Sequence, residues 1–149
     1  MKKIIFLCTG NSCRSQMAEG FAKKKFDLEN YQIDSAGVRA DGINEYAVKV
    51  MLEVDIDISI QESTSLNTLN LGVYDLIVTV CDHAHGCLNV NIINIKKRNI
   101  IHKHFPDPIL VKGDNEQVMN AYRYTRDLIK DYIQEIQINF NKYIEDGKK

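Results

Sequence analysis

An α/β fold built on a parallel sheet is what the chain predicts, and two observations predict it. Short apolar, β-branched runs alternate with segments whose apolar residues recur every three or four positions. The run from Tyr74 to Cys81 is nearly continuous, as expected of a strand covered on both faces. Strands that alternate with helices in this way close into a parallel sheet. At 149 residues the chain suits one domain, 1–149, that buries about two-thirds of its unfolded surface.

The first strand is Ile4–Leu7, ending at Cys8 before a turn that contains Gly10. From Gln16 the pattern is helical, with Met17, Ala18, Phe21 and Ala22 on one face. Tyr31–Gly37 reads as a second strand. Asn44 is a good N-cap for a second helix whose apolar face is Ala47, Val48, Met51 and Leu52. Val54–Ser59 alternates and reads as an exposed extended connector, and Ser63–Leu71 as a loop with a short helical turn. Tyr74–Cys81 is the third strand and Ile100–Phe105 the fourth, with Asp107 next, between Pro106 and Pro108. The last helix runs from about Asp114 to Ile144. Asp114 with Gln117 forms a capping box, and Val118, Tyr122, Ile129, Ile133, Ile136 and Phe140 make its core-facing stripe. Glu145–Lys149 is expected to fray. Residues 88–99, rich in Asn and Ile, carry no assignable pattern.

Bulk properties exclude several classes. Net charge is −1 with acids and bases interspersed, so no field argues for nucleic acid or an anionic membrane. No segment approaches the roughly 20 apolar residues a membrane span needs. MKKIIFLC imitates a signal peptide, but its apolar core is too short, and it reads as the first strand of a cytoplasmic protein. Four cysteines, Cys8, Cys13, Cys81 and Cys87, are too few for a secreted disulfide framework in a domain this size. In a reducing compartment such a set points to catalysis, redox exchange or metal.

The chemistry concentrates in CTGNSCRSQMAEG. Cys8 sits where a strand stops, and a tight loop, Thr9–Cys13, leads straight to a helix start. Backbone amides there lack intrahelical partners and carry the positive end of the helix dipole. Wrapped into a loop, the amides of Thr9, Gly10, Asn11, Ser12 and Cys13 make a cup for a tetrahedral oxyanion. Arg14 adds a planar fork suited to bidentate contact with that anion. The same field favours a thiolate at Cys8, and Ser15 is placed to donate its hydroxyl to the sulfur. Gly10 and Asn11 are the residues most tolerant of left-handed backbone. The bland alternative is a buried structural cysteine succeeded by an unrelated arginine.

A second group, Cys81-Asp-His-Ala-His-Gly-Cys87, leaves the third strand and enters a segment expected to be a mobile loop. Ligands in parallel sheets bind at strand carboxyl ends, where Cys8 and Cys81 both lie. Two readings of this segment stand side by side: thiol–disulfide exchange with Cys8, or zinc held by Cys81, His83, His85 and Cys87. Strict alternation of ligands over seven residues would strain one loop.

The active-site loop resembles that of thiol-dependent arsenate reductases built on the low-molecular-weight protein tyrosine phosphatase fold, and the similarity runs along nearly the whole chain. The resemblance implies a four-stranded sheet of order 2-1-3-4 with helices on both faces. It implies that Cys8 attacks arsenate, that Asp107 protonates the departing oxygen, and that Cys81 then displaces arsenite. Cys87 would move the oxidation outward to a Cys81–Cys87 disulfide, which thioredoxin would reset without any bound cofactor. In the family the relay cysteines stand one residue further apart and Pro commonly succeeds the second, where this chain has Leu88. A family cation site would draw on Asn11, Glu19 and Ser35, with Thr64 standing where a carboxylate is wanted. The rival within the family is a phosphatase using Cys8, Arg14 and Asp107. Gln16 in place of Pro, Ile109 in place of an aromatic platform, and the presence of Cys81 and Cys87 favour the reductase. A more distant alternative is a non-enzymatic thiol or zinc regulatory protein.

Overall fold

The computed structural model describes residues 1–91 and 100–146. Part of the Asn- and Ile-rich stretch and the last residues of the expected fray lie outside them, as does the side chain of Cys87. Four parallel strands, β1 (Lys2–Cys8), β2 (Tyr31–Gly37), β3 (Leu76–Thr79) and β4 (Ile100–His102), form one sheet in the order β2-β1-β3-β4. The fold class and strand order are those expected. Among the described residues four α-helices, α1 (Arg14–Lys25), α2 (Glu45–Leu52), α3 (Asp82–Asn91) and α4 (Asn115–Asp146), connect and cover it.

The middle of the sheet is dry. Ile4, Ile5, Phe6 and Leu7 of β1 are fully buried, and so are Leu76, Ile77 and Val78 of β3. Leu7 pairs with Thr79, so the two strands end level with one another. Adjacent strands lie about 4.8 Å apart, so their carboxyl ends share one edge. Strands β3 and β4 are shorter than their apolar runs, but backbone bonds continue past them, from Val80 N to Leu7 O, Lys103 N to Thr79 O and Phe105 N to Val80 O.

The helices form where their stripes dictate, with some shifts. α1 begins at Arg14, two residues earlier than the apolar pattern, and Met17, Ala18, Phe21 and Ala22 are buried. Asn44 caps α2, its Oδ1 accepting from Tyr46 N and Ala47 N at 2.8 and 3.1 Å. Val50 rather than Leu52 points inward from α2. The capping box of α4 is reciprocal: Asp114 N donates to Gln117 Oε1 and Gln117 N to Asp114 Oδ1. Tyr122, Ile129, Ile133, Ile136 and Phe140 of its stripe are buried.

Two expectations are corrected. Val54–Ser59 is not simply exposed: Val54 and Ile56 pack on the core and Ile58 is fully buried. Gly20 of α1 makes room for it, since a Cβ there would meet Ile58 Cγ2 at 2.8 Å. The segment after Cys81, expected to be a loop, is the helix α3. Among its described side chains Ala84 is fully buried.

α2 is tied to α4 by charge. Arg123 forks onto Glu53, with Nη2 to Oε2 at 2.7 Å, and Arg126 Nη1 reaches Val50 O and Glu53 Oε1. The Arg123 hydrogen bonds foremost, with those of Arg126, hold the Glu53 carboxyl down from 4.5 to about 2. A lowered folded value means the contribution is complete above 4.5 and is lost as pH falls toward 2. In urea unfolding, E53Q is therefore expected to cost about 1 kcal/mol at neutral pH, a figure discounted for the solvent around this half-exposed pair. The difference from the parent protein should shrink below pH 4.5 and vanish near pH 2.

Candidate active site

The loop after β1 is held from behind. Carbonyls of Cys8, Thr9, Gly10 and Ser12 accept from the amides of Val38, Arg39, Asp41 and Asn44 at 2.8–3.1 Å. The segment leaving β2 thus takes up the carbonyl edge of the loop. At Cys13 the helix α1 starts with no side-chain cap, so its first amides remain available to an anion. Gly37 permits the close packing: a Cβ there would stand 2.6 Å from Asn11 N and 2.8 Å from Thr9 O. Asn11 takes the left-handed conformation with φ 47°. Gly10, expected to share that role, does not; its lack of a side chain instead makes room for Asp41, whose Oδ2 lies 2.3 Å from where a Cβ would be.

Around this loop lies a cavity of about 140 Å³ in which several, though not all, of the sequence-predicted residues meet. Cys8, Thr9, Gly10, Ser12, Cys13, Arg14 and Asp107 all line it. Arg14 is buried, with Nη1 donating to Phe105 O at 2.9 Å and Nη2 to Asp107 Oδ2 at 3.3 Å. Asp107 sits in a tight turn, its Oδ1 accepting from Ile109 N, and Thr125 of α4 fastens that turn by donating to Pro106 O. Arg39 and Asp41, which the sequence did not single out, form an ion pair at the mouth. Their position at the carboxyl end of β2, beside β1, was the available signal.

Ser15 Oγ lies 2.8 Å from Cys8 Sγ, and the direction of that hydrogen bond is set by its surroundings. Asn11 Oδ1 accepts from Thr64 N and Gln16 Nε2, which fixes the orientation of the Asn11 amide. Its Nδ2 must then donate to both Ser15 Oγ and Ser35 Oγ. Ser35 gives its own proton to Glu19 Oε1 at 2.6 Å. With a donor already on its oxygen, Ser15 directs its proton at the sulfur. Gln16, fully buried, also donates to Glu62 O and receives Gln61 Nε2, bracing the loop against residues 61–64.

Glu19 is buried, and desolvation raises its carboxyl above the usual range against the pull of Lys23 and Ser35. Lys23 Nζ meets Glu19 Oε2 at 2.5 Å. A polar cavity of about 290 Å³ opens beside Glu19, Lys23, Ser35 and Thr64. Lys23 thus brings a positive charge to the corner where Thr64 replaces the carboxylate of the expected cation set.

Cys13 is buried, and desolvation first, then Cys8, pushes its thiol well above its ordinary range. It lines the cavity as a neutral group.

Cys81 is buried at the start of α3, its sulfur 3.4 Å from Thr9 Oγ1 and 3.4 Å from Ala84 N. It therefore stands as the N-cap of that helix and touches the loop that carries Cys8. His85, of the alternative zinc set, turns its Nδ1 to Thr79 Oγ1 at 3.2 Å. Among the described residues no group of three or more His, Cys, Asp or Glu is arranged to hold a metal ion.

Residues 3–145 match the family described as low molecular weight phosphotyrosine protein phosphatase. The chain belongs to that family. An arsenate reductase of Halalkalibacterium halodurans is 45% identical over 128 residues, covering 86% of this chain and 89% of that one. A solved structure described as an arsenate reductase in the phosphate binding state is 31% identical, with a TM-score of 0.66 over 91% of this chain and 96% of that one. The low molecular weight protein tyrosine phosphatase from T. tengcongensis is 25% identical, with a TM-score of 0.79 over 93% of this chain and 99% of that one.

Removing the Ser15 hydroxyl tests the direction of its hydrogen bond to the sulfur. Hydrogen bonds to charged groups are the stronger ones, so S15A should slow iodoacetamide alkylation of Cys8 at neutral pH by about tenfold. Peptide mass spectrometry after timed alkylation measures this.

Proposed function

We propose that the protein reduces arsenate to arsenite by a thiol relay. Arsenate enters the loop cup and pairs with Arg14. The Cys8 thiolate attacks arsenic, and an oxygen departs as water, taking its proton from Asp107. The Cys81 thiolate then attacks the Cys8 sulfur. The arsenic–sulfur bond breaks, its electron pair leaves with arsenic as arsenite, and a Cys8–Cys81 disulfide remains. Cys87 next attacks the Cys81 sulfur and releases Cys8, and an external dithiol protein, thioredoxin by the resemblance, reduces the Cys81–Cys87 disulfide. Two electrons pass per arsenate, and no cofactor is needed.

The observation that carries this reading is the contact between Cys81 Sγ and Thr9 Oγ1 at 3.4 Å, which sets a second thiol against the anion loop. Hydrolysis of a phosphate ester needs no such thiol, because water resolves its intermediate. The arsenate reductases among the relatives support the same substrate. A relay of free thiols also suits the reducing cytoplasm.

Helix α3 puts a demand on the last transfer. Six residues apart on a helix, two Cα atoms lie about 10 Å from each other, whereas a disulfide tolerates roughly 7 Å at most. The start of α3 must uncoil for Cys87 to reach Cys81. Gly86 weakens the helix there by about 1 kcal/mol relative to alanine, and nothing within 4 Å of where its Cβ would stand requires a glycine for packing.

Loop, Arg14 and Asp107 should also hydrolyse p-nitrophenyl phosphate slowly. C81S is expected to abolish multiple-turnover arsenate reduction in a thioredoxin-coupled NADPH assay while sparing that hydrolysis. Undiminished reduction by C81S would eliminate the relay.

A further inference from the structure

Three imidazoles surround the turn that carries Cys81, and the proposed relay uses none of them. His102, the last residue of β4, touches the chain on both sides of that cysteine. Its Nδ1 lies 2.7 Å from Thr79 Oγ1, two residues before Cys81, and its Nε2 lies 2.8 Å from Asp82 Oδ1, one residue after. Its ring stacks on His85, four residues after, with centroids 4.3 Å apart and planes 24° off parallel. His104 completes the set by accepting from Asp82 N at 3.2 Å.

The protons can be assigned. A carboxylate only accepts, so His102 Nε2 carries a hydrogen toward Asp82, and in neutral His102 the Nδ1 accepts from the Thr79 hydroxyl. The Thr79 oxygen is then free to accept from His85 Nδ1. Burial first, then His102, lowers the tendency of His85 to take a proton, which suits a neutral ring stacked on its neighbour. The His102 hydrogen bond holds the Asp82 carboxyl below its usual range.

Asp82 is largely exposed, and an ion pair of this kind contributes little by itself. Thr79 is fully buried in β3, so the bond from His102 to Thr79 is the rigid anchor. From that anchor the imidazole bridges to Asp82, the first residue of α3, on the far side of Cys81 in the chain.

We propose that His102 is a positioning residue for Cys81: it holds the first turn of α3 against β3 so that the Cys81 sulfur caps that helix and faces Thr9. The kinetic part of this role rests on the relay reading. Held in this way, Cys81 meets the Cys8 sulfur without a search. Without the hold, the turn frays and the sulfur wanders from the line of attack.

The test uses the full-length reduced protein without an external reductant. Arsenate is added, and loss of free thiols with appearance of the Cys8–Cys81 and then the Cys81–Cys87 peptides is monitored by rapid alkylation and mass spectrometry. Small misplacements of reacting groups are costly, so H102A and T79V should each slow this loss by about tenfold or more. Hydrolysis of p-nitrophenyl phosphate, which does not use Cys81, should stay within about twofold of the parent. H102Q keeps a donor toward Asp82 and should recover most of the thiol-loss rate. Hydrogen exchange at the amides of residues 83–86, measured without arsenate, should quicken in H102A and T79V. Unchanged thiol loss in both variants overturns the proposal, as does a parallel fall of both activities or unchanged exchange. If the parent protein loses no thiols to arsenate, the relay fails, and the exchange measurement still decides whether His102 holds the turn.

Discussion

The contact between the Ser15 hydroxyl and the Cys8 sulfur is where the interactions behind the loop converge. Its direction is set by Asn11, whose amide has every donor and acceptor engaged. Asn11 is in turn oriented by Thr64 and Gln16, and the Ser35 hydroxyl it meets is already committed to Glu19. Buried polar groups are costly unless satisfied, and among the described residues this cluster leaves none unsatisfied. The sulfur thus sits at the end of a chain of donors with one consistent polarity, beside a buried guanidinium and an uncapped helix start.

Parallel strands bring the second thiol to the same edge. Because β1 and β3 pair directly and end level, the residues after them emerge side by side, although Cys8 and Cys81 are far apart in sequence. Cys81 has a double role in this arrangement, as cap of α3 and as neighbour of Thr9. In the proposed reaction these roles compete. A sulfur drawn into a disulfide no longer serves the Ala84 amide, so bonding Cys81 to Cys8 loosens the helix that must open next.

Much of this was legible in the sequence because it depends on neighbours in the chain. The β-branched runs announced the sheet, the stripe and capping box announced α4, and Cys8 to Ser15 carried the loop in one contiguous stretch. The features that escaped notice are assembled from separate elements. Thr79, Asp82 and His102 come from β3, α3 and β4, and no spacing rule links them. Helix α3 was hidden because its cap is a cysteine, outside the usual capping residues, and a glycine, Gly86, interrupts it. The alternation in Val54–Ser59 was visible and its apolar positions are the ones that turn inward, but the notch at Gly20 that receives them comes from another element.

The hydrogen bonds from residues 38–44 have a consequence for selectivity. They hold the cradle in shape by contacts that owe nothing to an anion, so a tetrahedral guest finds it already built. Phosphate and arsenate have the same shape and charge, and a rigid receptacle of amides and one guanidinium has little means of telling them apart. In the proposed reaction discrimination falls on the chemistry after capture: arsenic, once joined to sulfur, accepts an electron pair that phosphorus refuses. Phosphate would accordingly act as a competitor for the empty seat, and the choice between the two elements would be made by redox chemistry rather than by fit.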